Sequence, residues 1–184
     1  MKNKFWFLII ILAIASFLGY QFFSKSNPKL TERENKSGIL DVLPKSLEVG
    51  DLAPDFVSED VSDNKVSLSD FRDKKPVLLI FWATWCGYCA KELPDLKDFT
   101  QEHQDEIQVI AVDSGEPRET IRDYIEEKEI NFLMLLDEDR TIWNQYFVRG
   151  TPSHFLIDKQ GKITALRPGL ASRENLENLL TMLR

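Results

Sequence analysis

Cysteine and histidine are nearly absent: the 184 residues hold two of each. A closed zinc site takes four nitrogen or sulfur ligands, and His103 and His154 lie far apart with no finger-like spacing. A structural disulfide framework spreads several cysteines along a small chain, whereas Cys86 and Cys89 close only a tiny loop. The pair is therefore chemical rather than structural. A surplus of positive charge is also missing, since the net charge is −7. Residues 1–48 carry seven Lys/Arg against four Asp/Glu, a surplus of three, which leaves −10 for the remainder. An acidic body of that kind argues against nucleic acid as a partner, because phosphate binding needs clustered Lys and Arg. There is no internal repeat and no low-complexity tract.

One long apolar run is present. Phe5 to Phe23 is almost unbroken, follows Lys2 and Lys4, and has Trp6, Tyr20 and Phe22 near its ends. As a helix it would span about 29 Å, close to a bilayer core. The positive-inside rule then places the N-terminus in the cytoplasm and the rest of the chain outside. Ala13-Ile14-Ala15 has the form of a signal-peptide cleavage site, but apolar sequence continues past it to Phe23, which favours an uncleaved anchor. No cysteine nearby could carry a lipid. The expected organisation is a transmembrane signal anchor over 1–24, a polar linker over 25–48 and one folded domain over 49–184.

Within that domain, Phe56-Val57-Ser58 and Val66-Ser67-Leu68 flank a polar turn and predict a β-hairpin. Val77-Leu78-Leu79-Ile80-Phe81-Trp82 reads as a strand buried on both faces. A helix from about Cys86 to His103 follows, with Leu93, Leu96, Phe99 and Thr100 on its inner side. Further strands are expected at 107–112, 132–136, 154–157 and 163–166. Further helices are expected at 117–128, 139–146 and 173–183, the last capped by Ser172. This order makes an α/β domain with a mixed sheet and helices on both faces.

The chemistry lies in Trp85-Cys86-Gly87-Tyr88-Cys89. A thiol attacks only as thiolate. Cys86 falls at a helix N-terminus, where free backbone N–H groups and the helix dipole favour negative charge. Cys89 lies one turn later on the same face, so it can resolve a mixed disulfide formed on Cys86. No cofactor beyond the Cys86–Cys89 couple is required.

These residues, with Ala53-Pro54-Asp55-Phe56, Lys91-Glu92-Leu93-Pro94, Val148-Arg149-Gly150-Thr151-Pro152 and Phe155-Leu156-Ile157-Asp158, stand in the order of a known family. Residues 49–184 resemble thioredoxin-like oxidoreductases of the TlpA/ResA type. The resemblance implies a thioredoxin-like fold with an added N-terminal hairpin, an exposed nucleophile at Cys86 and a buried partner at Cys89. It implies a cis peptide at Thr151-Pro152 facing the cysteines, with the Thr151 backbone pairing with an extended substrate. Trp85, Gly87 and Tyr88 would share that contact surface. Glu92 matches a helix acid of the family and would exchange protons with Cys89. His154 reads as a strand-face scaffold residue, Trp82 as core, and Pro94 as a bend in the helix.

The expected function is therefore extracytoplasmic thiol–disulfide exchange with protein substrates, as a monomeric reductase fed by a thiol-type electron donor in the membrane. Apocytochrome c CxxCH segments are among the candidate substrates. Gly87-Tyr88 departs from the dipeptides of thioredoxin and ResA-like reductases and resembles that of periplasmic disulfide isomerases, so an oxidase or isomerase is the main alternative. A peroxidase is weaker, because Thr84 lies two rather than three residues before Cys86. A copper-binding module using Cys86, Cys89 and a histidine is weaker still.

Overall fold

The computed structural model describes residues 46–183. The expected anchor, and the linker as far as residue 45, lie outside them. Among the described residues no helix is long and apolar enough to cross a membrane.

The organising strand is β3 (Val77–Phe81), all five residues of which are buried. Alternation of side chains sends Val77, Leu79 and Phe81 into one core and Leu78 and Ile80 into another. β3 pairs in parallel with β4 (Gln108–Val112), and β4 pairs in parallel with β5 (Leu133–Leu135). On its other side β3 pairs antiparallel with β6 (Ser153–Ile157), which pairs with β7 (Ile163–Pro168). The sheet order is β5-β4-β3-β6-β7. Ahead of it, β1 (Val57–Glu59) and β2 (Lys65–Ser67) form a separate antiparallel pair, followed by a 3₁₀ turn at Leu68–Phe71.

Two crossovers run the same way across the sheet, through α1 (Gly87–His103) and α2 (Arg118–Lys128). Right-handed connections keep both helices on one face. Leu96 and Phe99 of α1 pack there with Val109, and Ile121 of α2 packs with Ala111 and Met134. Leu176, Leu179 and Leu180 of α4 (Arg173–Thr181) join the same face. The short α3 (Thr141–Gln145) returns to the other face, where Ile142 and the following Tyr146 meet Phe81 and Phe155.

The inner side of α1 differs in part from the expected one. Glu92, Leu96 and Phe99 are its buried residues beyond Cys89, while Leu93 and Thr100 flank them half-buried. α3 also starts later than expected. The Asp137 carboxylate accepts the N–H groups of Ile142 and Trp143, so the preceding residues serve as its approach rather than its first turn.

Candidate active site

β3 ends against the site. Trp82 N–H still donates to Val112 O, and the chain then leaves the sheet through Ala83 and Thr84. Glu116, just after β4, catches this loop: its carboxylate accepts Thr84 N–H at 2.8 Å and the Thr84 hydroxyl as well. Cys86 N–H closes the turn onto Ala83 O, and the backbone at Cys86 is extended, as an N-cap requires. The Cys86 Sγ accepts Cys89 N–H at 3.1 Å and is bonded to Cys89 Sγ. One of the unpaired donors of the α1 N-terminus is thus aimed at the sulfur that carries charge as a thiolate.

Both cysteines are buried in this disulfide form, Cys86 at 5% exposure and Cys89 at 9%. This departs from the expectation of an exposed Cys86. As N-cap, its side chain folds back over the first turn of α1 and is tied there by the S–S bond. The exposed surface belongs instead to its neighbours, Trp85 at 66% and Tyr88 at 61%, with Gly87 also exposed.

Thr151-Pro152 is cis, at the entry to β6. Pro152 lines a small, largely apolar cavity together with Cys89, Glu92, Trp82 and Ile80. The β3–β6 ladder makes this possible, because Ser153 lies opposite Phe81 at the end of β3. On its outer side Pro152 also borders an open groove lined by Phe147, Val148, Leu166 and Pro168.

Glu92, one turn below Cys89, is fully enclosed. Its Oε1 lies 2.5 Å from His154 Nε2, and its Oε2 accepts Ala171 N–H at 2.9 Å. His154 Nδ1 lies 3.1 Å from Arg167 O. His154 is therefore more than scaffold: it is the partner of the site's acid. The available signal was its place two residues after Pro152 on a strand, which puts both on one face.

Two further acids escaped the sequence reading, Glu116 and Asp113. Asp113 is fully buried, and its Oδ2 accepts Gly115 and Glu116 N–H groups. Burial, reinforced by the nearby Glu116 charge, pushes its carboxyl up to about 6. Their signal was Asp113-Ser114-Gly115-Glu116 at the C-terminal end of a central strand, beside the CxxC loop. Of metal-capable groupings, Glu102, His103 and Glu177 converge elsewhere on α1 and α4, but Arg173 already pairs with both carboxylates.

Residues 49–166 match the AhpC/TSA family. The thiol-disulfide oxidoreductase ResA of Bacillus cereus (strain ATCC 10987 / NRS 248) is 32% identical over 185 residues, spanning 97% of this chain and 96% of that protein. ResA of Bacillus thuringiensis subsp. konkukian (strain 97-27) is 31% identical over 180 residues, with 97% and 96% covered. The solved thioredoxin domain of a thiol-disulfide oxidoreductase from Bacteroides vulgatus superposes with a TM-score of 0.68 at 29% identity, covering 76% of this chain and all of that one.

Proposed function

The chain belongs to the AhpC/TSA family and is a thiol–disulfide oxidoreductase, and from that premise we propose that it reduces disulfides of extracytoplasmic proteins. The observation that carries the reading is Cys86 at the N-terminus of α1, accepting Cys89 N–H and disulfide-bonded to Cys89. Reduced, the Cys86 thiolate attacks a substrate disulfide. Cys89 then displaces the substrate, which leaves with both electrons as a dithiol, and the Cys86–Cys89 bond re-forms. Glu92 takes the Cys89 proton. Trp85, Gly87, Tyr88 and the Thr151-Pro152 edge receive the substrate segment.

The reducing direction is supported by what surrounds Cys86. A strong oxidant of this chemistry owes its potential to a stabilised reduced form. Here Gly87-Tyr88 brings no cation to the thiolate, which is left with the helix terminus. The apolar run Phe5–Phe23 behind Lys2 and Lys4 supports a membrane anchor with the domain outside, fed by a thiol-type donor in the membrane. Extended CxxCH segments of apocytochromes c fit such a site as substrates.

The test uses the reduced full chain with an oxidised CxxCH peptide. The unmutated protein reduces the peptide, and Cys89→Ser accumulates a peptide mixed disulfide on Cys86. Failure to trap that adduct, or trapping it equally in Cys86→Ser, would refute the assignment of the two sulfurs.

A further inference from the structure

Glu92 and His154 are 2% and 1% exposed, and they touch at 2.5 Å. Family chemistry accounts for the acid but not for the imidazole. The atoms around the imidazole restrict its protonation. Arg167 O can only accept, so Nδ1 carries a hydrogen, and the contact between Nε2 and Oε1 holds one more. Carboxylate with imidazolium, or carboxylic acid with imidazole, the pair is neutral overall. Ala171 N–H fixes the other carboxylate oxygen.

Most ionisable groups brought by the neighbouring elements are otherwise engaged, while the buried Arg167 Nε has no hydrogen-bond partner among the described residues. On α1, Asp95 accepts Arg173 N–H. The Arg167 guanidinium of β7 binds Leu170 O and Asn175, and Arg173 of α4 binds Glu102 and Glu177. Tyr124 of α2 borders the cavity, where burial raises its hydroxyl still further above neutrality. β3 offers Ile80 opposite His154. Among the described residues, Cys89 is the group bordering this cavity whose proton moves in the exchange reaction.

We infer that His154 is a positioning residue for the resolving step, making loss of the Cys89 proton neutral in charge for the buried site. This rests on the oxidoreductase reading above. Before the step the site holds a thiol, a carboxylate and an imidazolium. The thiol proton passes to Glu92, leaving thiolate, carboxylic acid and imidazolium, again with no net charge. The Cys89 sulfur then bonds to Cys86, the Cys86–substrate bond breaks, and the substrate sulfur leaves with the electron pair. Without the imidazole, every state that contains the Cys89 thiolate carries uncompensated negative charge in a largely apolar cavity.

The test compares full chains carrying Cys86→Ser, with and without His154→Gln, following the ultraviolet absorbance of the Cys89 thiolate against pH. Glutamine keeps a donor toward Glu92 but no mobile proton. The midpoint is expected to rise by about one pH unit, a tenfold smaller thiolate fraction near neutrality. An unmoved midpoint in a folded His154→Gln protein would overturn the proposal. If that variant does not fold, imidazole nitrogen NMR of the unmutated chain decides, helped by there being only two histidines. His154 Nε2 is expected to titrate differently in the oxidised and reduced proteins, and identical titrations would overturn the proposal. Failure of the unmutated chain to exchange disulfides at all would instead remove the oxidoreductase reading beneath it.

Discussion

Asp113→Asn separates the ionisation of a buried acid from its hydrogen bonds. The carboxyl sits at the end of β4 with no exposed surface, and burial with the Glu116 charge raises it from 3.8 to about 6. The folded state therefore binds this proton more tightly than the unfolded chain does. Its contribution to stability is present below about pH 4 and is lost as pH rises through about 6. The full loss is about 3 kcal/mol, reached above that range. Asparagine removes the ionisation and keeps an oxygen for the Gly115 and Glu116 N–H groups. It also puts an amide where Asp113 Oδ1 has no hydrogen-bond partner, which costs about 1–3 kcal/mol. The variant is expected to be less stable than the parent near pH 4, and equal to it or better by about 1 kcal/mol near pH 8. The change in the mutational effect between the two is about 2–3 kcal/mol. Urea denaturation at both pH values measures it. An effect of the same size and sign at both would refute the argument.

Two other substitutions probe the packing and the contact surface. Phe99→Ala removes a fully buried ring between α1 and the sheet and is expected to cost about 3–5 kcal/mol in urea denaturation. Trp85→Ala, at an exposed position, is expected to leave stability within about 0.5 kcal/mol while raising the KM for a disulfide peptide more than it lowers kcat.

Much of the fold was legible because its signals are local. Val77 to Trp82 read as a strand buried on both faces and the helical spacing after Cys86 set it at a helix start, and the structure has a buried strand at Val77–Phe81 and a helix at Gly87–His103. Ser172 marked the start of α4 in the same way, and Asn175 completes its capping box in the structure. The site was legible to the same extent, in its cysteines and in Pro152, whose cis bond the family resemblance implied. What sequence left dark depends on long-range register. Glu92 and His154 are 62 residues apart and meet because β6 pairs with β3 in one register, setting His154 opposite Ile80 beneath α1. Thr84 and Glu116 are 32 apart and meet because parallel β3 and β4 end at the same level. The burial of Cys86 turns on a side-chain rotation that no residue pattern encodes.

The equilibrium reduction potential of the Cys86–Cys89 couple, measured in the full chain against glutathione, tests the reductase reading most directly. Thioredoxin-fold proteins run from about −270 mV for reductants to about −120 mV for oxidants. A thiolate held by a helix terminus, with no cation in the intervening Gly87-Tyr88, predicts a value near the lower end. A value near the upper end would contradict the account and make Gly87-Tyr88 the mark of an oxidase or isomerase.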